Sequence, residues 1–161
     1  MLRRRAQRTQ RGTEDTEDTE DAKGTKGNRG KRVRPNEISY KVIGAAMRVH
    51  TALGLGLLES VYEKCLSNEF SRCSLQFRRQ VSLPIVYDGA TIKPAYKVDF
   101  IVENLVVVEI KCVERVLPMH RAQLLSYLKL TKLPLGLLLN FKVPHLRDGI
   151  VRVISAPEAD R

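Results

Sequence analysis

The sequence predicts an α+β domain in layers, with two amphipathic helices ahead of a run of strands and one more helix between later strands. Three observations carry that expectation. Apolar residues recur at helical spacing from Ile38 to Leu53 and again from Leu57 to Phe70. The period changes to two from Val81 to Tyr87, as in a half-buried strand. Two short runs, Val106–Lys111 and Leu135–Phe141, are apolar on both faces, which marks central strands covered on both sides. A hydrophobic content of 43% is ample for a packed core.

The elements follow in order. Pro35-Asn36-Glu37 reads as a helix start, with Asn36 as cap and Glu37 where the helix dipole favours an acid. Ile38, Val42, Ala45, Ala46, Val49 and Leu53 form its apolar stripe, and Gly54-Leu55-Gly56 ends it. A second helix begins near Leu57 and runs to about Cys73, with Arg72 in its last turn. Val81, Leu83, Ile85 and Tyr87 alternate, Pro84 suggests an edge or bulge, and Asp88-Gly89 is a strong hairpin turn. Thr91-Ile92 opens a short returning strand interrupted by Pro94, and Tyr96–Val102 and Val106–Lys111 follow around a turn at Glu103-Asn104-Leu105. Pro118 suits a first helical turn, so a helix runs from there to about Leu130, where Pro134 stops the pattern. Leu135–Phe141 and Gly149–Ile154 are the last strands, for an order ααββββαββ over residues 36–155, with 156–161 left as a short tail.

Residues 1–35 are different. Eleven of the 28 basic residues and six of the 18 acids lie before Glu37, so half of the formal +10 belongs to this stretch. With so few apolar residues it is expected to be disordered, and its centre is a low-complexity triplet repeat, Thr13-Glu14-Asp15 to Thr19-Glu20-Asp21. It reads either as a solvated tail or as an arm for phosphates or an acidic partner. Met1-Leu2-Arg3-Arg4-Arg5 has no apolar stretch behind it, so no secretory signal is expected, and no run of 18 apolar residues suggests a membrane span. Cys65, Cys73 and Cys112 form no C-x-x-C pair, which fits reduced thiols in a cytoplasmic protein better than a disulfide framework or a zinc site.

The informative residues are charges inside apolar strands, because an unpaired buried charge costs several kcal/mol. Asp99 interrupts Tyr96–Val102, and Glu109 and Lys111 end the most apolar strand. Two apart, Glu109 and Lys111 leave one face. A three-residue loop at 103–105 places Asp99 opposite Glu109 on that face, whereas a two-residue loop places it on the other. Two carboxylates and an ammonium at a strand end suit metal-assisted phosphodiester cleavage: carboxylate oxygens hold Mg²⁺ (or Mn²⁺), the ion polarises phosphate and acidifies water, and the lysine orients water or stabilises charge. The alternative is a plain salt bridge of Lys111 with Glu109 or Asp99.

Gly56-Leu57-Leu58-Glu59-Ser60-Val61-Tyr62 resembles the motif that names the GxxExxY proteins, a bacterial and archaeal group within the PD-(D/E)XK nuclease superfamily. Arg79-Gln80-Val81, Tyr96–Asp99, Val108–Lys111, Gln123–Leu128 and Gly136–Phe141 follow in matching order, so the resemblance spans about residues 36–155. It implies a restriction-endonuclease-like core, a mixed sheet flanked by helices, and a DNA substrate, with RNA less favoured. It also implies roles: Asp99 and Glu109 as metal-binding acids, the Ile110 carbonyl as a further ligand, Lys111 as catalytic lysine and Glu59 as a third acid. Gln123 and Tyr127 resemble the Q-x-x-x-Y pair of exonuclease-like branches, and their spacing puts both on one helix face with His120. The superfamily's Pro-Asp dipeptide is absent, because Val98 precedes Asp99.

Each residue has a second reading from its position alone. Glu59 lies in a first helical turn that favours an acid, and Tyr62 suits a core position with its hydroxyl partnered. Gln123 and Tyr127 suit backbone satisfaction and core, and His120 a phosphate contact, a place beside a metal ligand, or plain surface. Arg78, Arg79, Lys93 and Lys97 are DNA-backbone contacts or a solvated face. His50 suits a helix end, His145 has no role, and the glycine turn lacks the Lys-Ser/Thr ending of a P-loop. Two other functions remain open: a non-catalytic nucleic-acid-binding or interaction module on the same fold, and a homodimer through the Tyr87 edge.

Overall fold

Helix α1 spans Pro35–Leu53 and α2 spans Glu59–Arg72 in the computed structural model, which describes residues 34–155. Strands β1 (Phe77–Tyr87), β2 (Ala90–Val102) and β3 (Val106–Lys111) follow, then α3 (Pro118–Thr131), β4 (Leu135–Asn140), a 3-10 turn (Leu146–Gly149) and β5 (Ile150–Ile154). The tail expected at 1–35 lies outside the described residues through residue 33, as does that expected at 156–161. No helix among the described residues is long and apolar enough to cross a membrane.

The five strands form one mixed sheet in the order β1-β2-β3-β4-β5. β3 and β4 are parallel, joined through α3, and the other neighbours are antiparallel. One face packs on α1 and α2 through Val42, Ala46, Tyr62, Leu66, Phe70, Val108 and Phe141. The other packs on α3 through Val98, Ile101, Val107, Leu124, Tyr127 and Leu128. β3 and β4 are therefore buried on both sides, as their unbroken apolar runs require.

The α+β class holds, with three corrections. The order is ααβββαββ, not ααββββαββ, because the segments on either side of Pro94 are one long strand, β2. The irregularity expected at Pro84 is a register shift between Leu83 and Ile85, and it absorbs the extra β2 residues without breaking the hairpin. Asp88 and Gly89 both have positive φ, 48° and 74°, which gives the two-residue turn the twist the flanking strands need. β1 begins at Phe77, before the alternating stretch, because Phe77 packs edge-on against Phe70 and Phe100. Asn36 is not the helix cap. α1 starts at Pro35, which needs no hydrogen-bonded N–H there, and the Asn36 side chain instead accepts a bond from Arg152 of β5.

The end of β4 is tightly built. Asn140 is buried, and its side chain accepts from the Val113 N–H at 3.0 Å and donates to the Val113 carbonyl at 2.8 Å, clamping the chain that leaves β3. Gly149 lies against it, where a Cβ would stand 2.2 Å from the Asn140 carbonyl oxygen. Gly149→Ala is expected to cost roughly 1–3 kcal/mol by overpacking, read from the denaturant midpoint; an unchanged midpoint would show that this junction yields freely.

Candidate active site

The chain leaving β2 and entering β3 brings the sequence-predicted residues to one end of the sheet. The 103–105 turn has three residues, with Glu103 and Asn104 in the left-handed region at φ 53° and 52°. The resulting register pairs Phe100 with Val108 and, continued one step, would pair Asp99 with Glu109. The ladder stops short of that step. Side-chain alternation along β2 also breaks at Asp99, since Val98 and Ile101 both pack on the α3 face while Phe100 packs on the other. Gln80, in the neighbouring stretch of β1, has φ 49°, so both strands depart from regular geometry here. The Asp99 carboxylate takes over the missing ladder bond, accepting from the Ile110 N–H at 2.8 Å and from Gln80 Nε2 at 3.3 Å.

Glu109 is 4% exposed. Lys111 Nζ donates to its Oε1 at 2.6 Å, so the ion pair foreseen as the plain alternative does form. It satisfies only half of the carboxylate: Oε2 is buried with no hydrogen-bond partner among the described residues. Burial, then repulsion from Asp99, pushes the Glu109 carboxyl up to about 7 against the pull of Lys111. Asp99 is raised as well, by burial first, with the Ile110 N–H and Lys111 opposing. Asp99 thus sits close enough to disfavour the charge of Glu109, whose Oε2 is buried without a partner among the described residues.

Glu59, the first residue of α2, accepts from the Cys112 N–H at 3.0 Å and ties the helix to the chain just beyond β3. Its charge contributes to the rise at both Asp99 and Glu109. Tyr62, one turn on, is fully buried and stacked on Phe141 at 4.2 Å. Its hydroxyl donates to the Gly54 carbonyl at 2.7 Å and accepts from the Leu57 N–H at 3.3 Å, so it pins the turn that launches Glu59. Glu59, Asp99 and Ile110 line a cleft of about 680 Å³ with Glu63, Gln80, Cys112 and Lys142. Glu109 and Lys111 do not line it.

On the α3 side, Gln123 Nε2 donates to the Tyr127 hydroxyl at 2.5 Å, and that hydroxyl approaches the Lys97 carbonyl at 3.5 Å. Burial first, then the charge of Glu109, pushes Tyr127 up to about 12. Tyr127 thus lies within electrostatic reach of Glu109, and Gln123 shares its helix face as the spacing anticipated. His120 is placed otherwise. Its Nδ1 accepts from the Leu117 N–H at 3.1 Å while its own N–H donates to the Leu117 carbonyl, so it caps α3. The basic residues are also partly engaged: Arg78 donates to Asn104, and Arg79 donates twice to Glu63 at 3.1 Å, whereas Lys93 and Lys97 are exposed.

Sequence reasoning missed Glu63, Asn140 and Lys142. Glu63 is four residues after Glu59, so helical spacing alone puts both acids on one face. Asn140 is a polar residue ending an apolar strand, the signal that singled out Glu109. Lys142 lies in irregular chain and gave no signal.

Among the described residues, no group of three or more His, Cys, Asp and Glu side chains converges as a metal cluster. Asp99 and Glu109 nevertheless fit a divalent cation, because the repulsion of Glu109 by Asp99 and the unpartnered Oε2 are the conditions that such an ion relieves. Glu59 is held at Cys112 and is the outermost of the three acids.

A mixed sheet with helices on both faces, an acid on β2 and an acid-x-lysine on β3 define a nuclease-type fold. The family model of the PD-(D/E)XK nuclease superfamily matches residues 36–153, and the chain belongs to that superfamily. No significant match is found among curated proteins or among solved structures.

The pH sign follows from the direction of the Glu109 shift. A carboxyl raised in the folded state holds its proton more tightly there, so stability falls as pH rises from about 4.5 to about 7. Glu109→Gln imitates the neutral acid. In chelator, it is expected to match wild type at pH 5 and to exceed it at pH 8 by on the order of 2 kcal/mol. Equal stabilities at both pH values, read by thermal unfolding, would contradict the shift.

Proposed function

We propose that this protein is a metal-dependent nuclease that hydrolyses phosphodiester bonds of DNA. The observation that carries the reading is the half-satisfied carboxylate of Glu109, buried beside Asp99 at the end of a superfamily-type β3. Asp99, Glu109 and the Ile110 carbonyl would hold Mg²⁺ or Mn²⁺, with Glu59 as an outer acid. Bound there, a divalent cation supplies positive charge that polarises the phosphate and acidifies water.

The chain's own groups divide the remaining work. Lys111, held by Glu109, carries a proton donor to the strand end, where it orients water or steadies charge on the phosphate. The hydrogen-bonded Gln123–Tyr127 pair sets polar but uncharged groups on α3 within electrostatic reach of Glu109. Tyr62 fixes the turn that presents Glu59. The Gly56–Tyr62 segment supports placing the chain with the GxxExxY proteins, and three free cysteines support a reducing, cytoplasmic setting.

Purified full-length protein with Mn²⁺ or Mg²⁺ is expected to cut DNA. Asp99→Ala and Lys111→Ala should each lower the rate by at least roughly 100-fold, the size of effect typical of a lost general acid–base or charge-stabilising group. Undiminished cutting by both variants would overturn the assignment. Salt-sensitive DNA binding without cutting or metal uptake would point to the non-catalytic module.

A further inference from the structure

The cleft beside Asp99 has an uneven wall. Glu59, Glu63 and Asp99 supply acid, Lys142 is the one basic residue among the described residues lining it, and Leu57 and Leu58 line it too. Leu58 is 73% exposed and Leu57 38%. Leu53, Leu55 and Val61, from the end of α1 to the first turn of α2, are exposed as well. Tyr62 bonds Gly54 and Leu57 and so pins the turn that carries Leu57 and Leu58.

Resting on the nuclease reading, we infer that the cleft accepts a strand with unpaired nucleotides beside the scissile phosphate, with a base on Leu57 and Leu58 and a phosphate on Lys142. A paired duplex offers a cleft wall its phosphates and sugars and keeps its base faces stacked inside. Aliphatic side chains reach a base face where the base is unpaired or a step is wedged apart. Lys142 is available at little cost. Its Nζ lies 2.6 Å from Glu114 Oε1, but Glu114 is 83% exposed, and such surface pairs contribute only about 0–1 kcal/mol. A phosphate can therefore replace Glu114.

The test uses full-length protein and three fluorescent oligonucleotides in Ca²⁺ buffer: a single strand, its duplex, and the same strand with an abasic stretch. Wild type should bind the single strand most tightly. Leu57→Ser/Leu58→Ser should lose roughly 3- to 10-fold on the single strand and little on the duplex, as expected for lost base contact. The abasic strand tests the base contact without altering the protein, and it should bind wild type as weakly as the single strand binds the double variant. Lys142→Ala should weaken all three and lower the salt slope by about one. Equal binding of intact and abasic strands, or an unchanged preference in the leucine variant, would overturn the inference while Mn²⁺-dependent cutting left the nuclease reading standing. A dimer that the leucine variant converts to monomer would overturn it in favour of a contact between copies. Absence of both cutting and metal binding would remove the nuclease reading, and this inference with it.

Discussion

The end of β3 holds a carboxylate in a place where carboxylates are costly, and most of the surrounding architecture follows from that. Glu109 is buried on a strand whose two faces are both covered by helices, and Lys111 answers only one of its oxygens. A structural ion pair is worth keeping when its remaining lone pairs are satisfied, and here one is not, while a second acid stands near enough to add repulsion. Burial and repulsion together raise Glu109 to about 7, so near neutral pH it is poised between the protonated and charged forms. Such a group is uneconomical as scaffolding and well suited to taking up a cation.

The neighbouring elements hold this arrangement rather than relieve it. Asp99 substitutes its carboxylate for a ladder bond, which fixes it against Ile110 and opens the sheet at that point. Glu59 and Asn140 each bond the backbone just past Lys111, from α2 and β4 respectively, so the segment is fastened from both sides. Acids and ammonium are thereby held on packed secondary structure, as precise chemistry requires.

The legible part of the site was legible for a physical reason. A charge inside an apolar strand contradicts burial, so Asp99, Glu109 and Lys111 stood out, and the three-residue turn at 103–105 set the register of β2 on β3 as far as Phe100 and Val108. The strand pattern was equally clear where both faces are buried, and failed at Pro94 and Phe77, where a bulge and an aromatic cluster override local signals. What stayed hidden depends on contacts far apart in the chain. Arg79 and Arg78 read as DNA-backbone contacts or a solvated face, and nothing local announced Glu63 and Asn104 beside them. His120 read as a phosphate contact, a neighbour of a metal ligand or plain surface, and nothing local announced that its Nδ1 accepts from the Leu117 N–H at the start of α3. Lys142 reaches the cleft through a loop that no periodicity describes.

Calorimetric titration of Mn²⁺ into metal-free protein at pH 7, in two buffers of different ionisation enthalpy, addresses the central claim most directly. A Glu109 carboxyl near 7 is about half protonated there, so each ion bound should release about half a proton. Glu109→Gln should abolish the proton release and weaken the binding. Binding that is absent in wild type, or that is unchanged in affinity and proton release in Glu109→Gln, would contradict the assignment of this strand end as a metal site.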